Sequence, residues 1–261
     1  MSETDSNNPY ASPGANVARE EGATMGGLIE NGRAVDAGRG TAWISAGFEI
    51  FMKAPGMWVL IALVYMIVSV VAGAIPFLGA LAMGLLGSVF MAGMLLGCQT
   101  LENGGALDVS TLFEGFKRDV GQLVMVNVLG MVGMVVIAIV IGVIIAVFGG
   151  LGALGGRSGF GMMAVAGMLI AMLLGFALMV PVVMAIWFAP ALVVFHGVDA
   201  VSAAKQSFAA CLKNMIPFLI WGAICFVLAI VAMIPLGLGF LVLGPVLVGS
   251  LYVSYKEIFC E

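Results

Sequence analysis

Apolar and polar positions separate along this chain on the scale of whole helices rather than single turns. No Asp, Glu, Lys or Arg occurs in residues 54–101, 120–156, 158–198 or 214–255. A membrane-spanning helix needs about 20 apolar residues, and runs this long do not suit the buried helices of a soluble domain. The runs therefore divide into spans. Residues 57–75 and 80–100 flank the tight turn Ile75-Pro76-Phe77-Leu78-Gly79. Residues 120–148 and 161–186 flank the glycine-rich segment 149–159, and 216–234 and 237–254 flank Ile234-Pro235-Leu236-Gly237. The predicted fold class is an all-α membrane protein with six transmembrane helices in three hairpins.

Charge orients this bundle, because Lys and Arg gather on the cytoplasmic side of spanning proteins. Arg39, Lys53, Lys117, Arg118, Lys205, Lys213 and Lys256 fall on one side of the spans, opposed by Arg157. That distribution predicts cytoplasmic N- and C-termini and no sizeable domain on the far side. Composition agrees: 62% of residues are hydrophobic and 9% charged, where soluble domains carry about 25% charged residues. Abundant glycine and methionine suit helices packed closely in lipid.

Residues 1–40 read differently. They are polar and hold Pro9 and Pro13, with too few large apolar groups to offset ordering entropy. A disordered cytoplasmic tail is expected there, followed by a membrane domain at 41–261. No apolar stretch follows a basic start, so no signal peptide is expected. The net charge of −4 lies largely in this tail and gives no footprint for nucleic acid.

A short pattern precedes each hairpin: Phe-x-x-apolar-x-basic. It reads Phe48-x-x-Phe51-x-Lys53, then Phe113-x-x-Phe116-x-Arg118, then Phe208-x-x-Cys211-x-Lys213. Helical spacing gathers Trp43, Ile44, Gly47, Phe48 and Phe51 on one face, as it does Leu112, Phe113 and Phe116, and Val201, Ala204, Phe208 and Cys211. These segments are predicted as interfacial amphipathic helices, aromatic face in the acyl boundary and basic residue at the headgroups. The spacing from Lys53 to Ile75-Pro76 nearly equals that from Lys213 to Ile234-Pro235. We therefore read a parallel internal repeat with units at about 41–101, 105–190 and 199–256.

Candidate chemistry is sparse. An ionisable residue at the bilayer centre costs about 2.5–3.5 kcal/mol on insertion scales and marks function when it is retained. The spans contain none, which weighs against a proton- or sodium-coupled carrier. Asn127, Ser69 and Ser88 are the main polar side chains within spans; they either line a polar path or make interhelical hydrogen bonds. Gly93 and Gly97 form a GxxxG element, a packing or dimer face. Pro181 and Pro190 bracket a segment that turns the chain toward 199–213 or builds a broken-helix site. His196, the one histidine, makes neither a triad nor a metal site. Cys98, Cys211, Cys225 and Cys260 contain no CxxC and read as small apolar fillers. No P-loop, HExxH or GxSxG occurs. No catalytic residue, metal or cofactor is expected.

Gly47-Phe48-x-x-Phe51-x-Lys53-x-Pro55-x-x-Trp58, with Val89-Phe90-Met91-Ala92-Gly93 and Gly97-Cys98, resembles an uncharacterised family of proteobacterial integral membrane proteins. So does Trp187-Phe188-Ala189-Pro190-Ala191-Leu192-Val193-Val194, followed by Ala203-x-x-x-Ser207-Phe208-x-x-Cys211-x-x-Asn214. The latter stretch is also distantly similar to the membrane domain of glycerophosphodiester phosphodiesterases, without their catalytic barrel. The resemblance implies a helical bundle in the bacterial inner membrane and no activity.

The expected function is accordingly non-enzymatic: a lipid-interacting, scaffold or accessory protein. Its expected partners are membrane lipids, bound through Phe48, Lys53, Phe113, Phe116, Arg118, Phe208 and Lys213, and a protein held by the tail or the 101–119 loop. The alternatives are a passive channel or carrier for a small or apolar solute past Asn127, Ser69 and Ser88, and an enzyme subunit that needs a partner.

Overall fold

The computed structural model describes residues 25–154 and 156–261, the side chains of 154–160 excepted. The described residues form α1 (Arg39–Lys53), α2 (Pro55–Gly73), α3 (Leu78–Glu102), a 3-10 helix (Val109–Lys117), α4 (Val120–Leu154), α5 (Gly156–Trp187), α6 (Ala189–His196), α7 (Ala200–Lys213), α8 (Met215–Met233) and α9 (Phe240–Phe259). One isolated antiparallel bridge, Leu28 to Cys260, is the extent of their β structure. Helices α2, α3, α4, α5 continuing into α6, α8 and α9 are each long and apolar enough to cross a membrane.

Burial sorts these spans. Half of the α3 window and 61% of the α9 window are buried, against 11% or less in the other four. Helices α3 and α9 are therefore the interior members, and the others turn most of their surface outward. Exposed Val70, Val135, Leu173 and Phe226 would be a liability in water and are ordinary in lipid.

Local chemistry sets the boundaries. Pro55 opens α2 at a position where its missing N–H costs nothing. Asp199 caps α7 by accepting from Ser202 N at 3.0 Å, and Asp108 caps the 3-10 helix by accepting from Ser110 N at 2.8 Å. Gly197 ends α6 in the left-handed conformation, its N–H on Val193 O at 2.9 Å. Between α5 and α6 the ladder breaks at Phe188. Ser207 of α7 donates to Met184 O at 2.6 Å and accepts from Phe188 N at 3.0 Å. The hydroxyl stands where the helical bond from Phe188 to Met184 would be, a recognised cause of a kink.

The structure departs from the sequence reading in three places. First, the glycine-rich segment is helical on both sides of residue 155. Helix α4 is 35 residues long and α5 is 32, so at 1.5 Å per residue they extend for about 50 Å, well beyond a hydrocarbon core of about 30 Å. They run antiparallel throughout: Gly130 meets Ile186, Gly133 meets Val182, Gly175 meets Ile141 and Gly167 meets Phe148. Backbone groups beside lipid need internal hydrogen bonds, which outweighs glycine's modest preference against helix.

Second, the segment before Lys117 is a 3-10 helix rather than an α-helix. Third, residues 25–38, assigned by composition to the polar tail, lie along the C-terminus. Ile29 N donates to Phe259 O at 2.8 Å and Arg33 N to Ile258 O at 2.9 Å. Gly32, at φ +61°, allows this approach, since a Cβ there would come within 2.6 Å of Ile258 Cγ2. The earlier part of the expected tail, residues 1–24, lies outside the described residues.

Candidate functional site

A cavity of about 860 Å³ opens between α2, α3, α4, α5, α8 and α9. Trp58, Trp187 and Trp221 line it near the ends of α2, α5 and α8 that share a face with the chain termini. Leu236, Gly237 and Leu238 line it at the opposite turn between α8 and α9. It therefore runs along most of the span. Its wall is apolar apart from Asn127, Ser88, Ser69, Tyr65 and the indole nitrogens, and no charged side chain contributes. Trp187 and Trp221 stand edge to face at 5.2 Å and also wall a smaller cavity of about 220 Å³ against α7 and α8.

All three polar residues expected within the spans line the larger cavity, and each also has a partner in the chain. Ser88 donates to Asn127 Oδ1 at 2.7 Å, and Asn127 Nδ2 donates to Leu85 O at 2.8 Å, which joins α3 to α4. Ser69 donates to Tyr65 O of its own helix at 2.8 Å. The tryptophans divide differently. Trp221 Nε1 donates to Ser250 Oγ at 2.6 Å, whereas Trp58 Nε1 and Trp187 Nε1 are buried without an acceptor among the described residues.

The interfacial candidates lie on the face that carries the termini. Phe48, Phe113 and Phe116 are exposed, and Phe208 is half-buried. Phe113 and Phe116 also pack on Phe90. In α1 much of the predicted aromatic face turns toward the bundle, with Trp43, Gly47 and Phe51 buried beside Ile50, whereas in α7 the buried Ala203, Ser207 and Ala210 are offset from Phe208. Lys53 Nζ donates to Leu101 O at 3.3 Å, near the end of α3. Lys213 Nζ donates to Asn31 O at 3.1 Å and Gly32 O at 2.9 Å. Arg118 is exposed.

Each of these segments seats on a span through a pair of residues four apart. Gly47 of α1 lies against Val246 and Ser250 of α9. Gly115 of the 3-10 helix lies against Val89 and Gly93 of α3. Ser207 of α7 bonds Met184 and Phe188 at the end of α5. A side chain at Gly47 or Gly115 would strike backbone, so these contacts need small residues.

Several polar contacts on the termini face carry no motif in the sequence. Glu102 accepts from Tyr252 at 2.6 Å and from Lys256 at 2.7 Å, tying α3 to α9. Glu257 accepts from Trp43 Nε1 at 2.6 Å and pairs with Arg39 at 2.5 Å, tying α9 to α1. Tyr255 and His196 share a hydrogen bond of 2.5 Å. Asn214 is fully buried; it donates to Arg33 O and Ala210 O and accepts from Val35 N at 2.8 Å. Its polarity at the end of an amphipathic helix was the available signal. Backbone N–H groups of Ser110 and Ser202 hold Asp108 and Asp199 below the usual carboxylate range, and burial pushes the Cys211 thiol up to about 12. Among the described residues no three of His, Cys, Asp and Glu converge to hold a metal.

No family model matches this chain, and no solved structure does. The chain is similar to a probable inner membrane protein of Burkholderia thailandensis, 27% identical over 204 residues that cover 75% of each chain. With six apolar helices of spanning length, that likeness supports an integral, multi-pass protein of the inner membrane.

Proposed function

We propose that this is a non-enzymatic lipid-binding protein of the inner membrane, in which the central cavity holds the apolar chain of a membrane lipid. The single observation behind the reading is the 860 Å³ cavity, apolar and free of charged side chains, between helices of membrane-spanning length. Close-packed interiors gain dispersion contacts that an unfilled wall forgoes, and in a bilayer the abundant filler is a lipid chain.

The aromatic residues beside the cavity belong to the same reading. With both termini cytoplasmic, as the charge pattern predicts, Phe48, Phe113, Phe116 and Phe208 lie at the inner acyl boundary. Arg118 serves the anionic headgroups there, worth about 1 kcal/mol. Lys53 and Lys213 act chiefly within the protein, since their ammonium groups already bind backbone carbonyls.

The seating of α1, the 3-10 helix and α7 favours the parallel repeat of three hairpins. Each segment leans on the second span of the preceding unit, and α1 leans on the last span of the third unit. The three units then close into a ring around the cavity. A passive conduit for an apolar solute is the second reading, favoured by the cavity's reach from the tryptophans to the far turn.

Native mass spectrometry of the full chain released from its own membrane tests the proposal. A lipid mass at fixed stoichiometry is expected. A bare chain that passes apolar solutes in liposomes would replace this reading with the conduit.

A further inference from the structure

The tryptophans of the cavity wall bear on what part of a lipid the cavity recognises. Trp58 and Trp187 both line the cavity, and neither indole N–H meets an acceptor among the described residues. Trp58 is 1% exposed, so an acceptor reaches its N–H only as the cavity wall yields to a bound molecule. Trp221, on the same wall, is satisfied by Ser250. A buried donor left unpaired is costly, and more so where hydrocarbon surrounds it.

We infer that the cavity binds a neutral amphiphile through a carbonyl oxygen, with Trp58 and Trp187 as the donors and the apolar wall as the seat of its chain. This rests on the lipid-binding reading above and adds a chemical class to it. Three features select that class. The unpaired groups are donors, so the ligand must bring acceptors. The lining has no charged side chain, so an ionised headgroup would find no counter-charge beside it. Ser88 is spent on Asn127 and one Asn127 amide hydrogen on Leu85 O, so the second amide hydrogen and the Tyr65 hydroxyl on the same wall only add donors to the indoles. Tryptophan presents one N–H on a large apolar body, which suits a molecule that is mostly chain with one polar point. The ester of an acyl lipid and the ring carbonyl of a quinone share this chemistry.

The test is competition for the purified full-length chain among three probes: hexadecane, methyl palmitate and a decyl-substituted benzoquinone. Each hydrogen bond gained should favour a carbonyl probe over the alkane by roughly five- to tenfold. Preference for the ester identifies an acyl lipid, and preference for the quinone identifies a quinone. Trp58→Phe and Trp187→Phe should each reduce the preference, while Trp221→Phe, which loses an N–H already bonded to Ser250, should preserve it. If a variant fails to fold, the infrared carbonyl stretch of the ester bound to the unaltered chain gives the answer, with a shift to lower frequency expected. Equal binding of alkane, ester and quinone would overturn the inference and leave the lipid-binding reading intact. Exclusion of all three would overturn both.

Discussion

Ser207 of α7 holds Phe188 at the α5–α6 break: its hydroxyl accepts from Phe188 N at 3.0 Å and donates to Met184 O at 2.6 Å. Both helix-end groups are thereby satisfied by a residue 19 positions away. Ser207→Ala leaves the buried Phe188 N without a partner and Met184 O with only the weak Cys211 thiol donor at 3.6 Å, and should cost about 1–3 kcal/mol. Thermal unfolding in detergent measures this, and an unchanged Tm would mean that the break is satisfied another way.

Close approach makes Gly47 a second sensitive point. A methyl group there meets Val246 O and lies 2.5 Å from Ser250 N, so Gly47→Ala should push α1 off α9 at a cost of roughly 1–3 kcal/mol. Gly142, with nothing within 4 Å of its added Cβ, is the control. Gly142→Ala should be neutral, or stabilising by up to about 1 kcal/mol through helix propensity.

Asn214 should control the order of residues 25–38. It binds Arg33 O and Val35 N from the end of α7, and Lys213 binds the adjacent Asn31 and Gly32 carbonyls. Asn214→Ala should accelerate tryptic cleavage after Arg33 by an order of magnitude or more, on the scale of about 1.4 kcal/mol per tenfold. Cleavage at the unaltered rate would mean that contacts with the C-terminus suffice.

Acid should loosen α7 and the 3-10 helix through their caps. Asp199 and Asp108 have depressed carboxyl pKa values because backbone N–H groups bind the ionised form. Their contribution is fully present above the unfolded-state value, about 3.9, and is lost as the pH falls through the lower folded-state values. Asp199→Ala should lower Tm at pH 7, and the difference from the unaltered chain should shrink below that range. A difference independent of pH would show that charge plays no part in the cap.

The spans were legible because lipid imposes one rule on every residue that faces it, and long uncharged runs obey it directly. Boundaries were legible at the tight proline-containing turns, as at Ile75-Pro76 and Ile234-Pro235. The glycine-rich segment misled because glycine's preference against helix was read without the stronger need to bond backbone beside lipid. In α1 much of the face read as lipid-facing turns inward instead, with Trp43, Gly47 and Phe51 buried, and in α7 the buried face is offset because Ser207, not Phe208, makes the close contact. The cavity was beyond the reach of sequence: Trp58, Trp187, Trp221 and Asn127 converge from four helices, and no spacing encodes that.

The central claim is that a lipid chain occupies the cavity, and filling the cavity tests it most directly. Gly244 lines the wall, and its added Cβ would meet nothing within 4 Å, so Gly244→Phe should project a ring into the space without disturbing the helix. Native mass spectrometry of the unaltered chain and this variant, prepared identically, should show a bound lipid mass on the first and its loss from the second, with Tm retained in the lipid-free state. The same lipid, at the same stoichiometry on both, would place it outside the cavity and contradict the account.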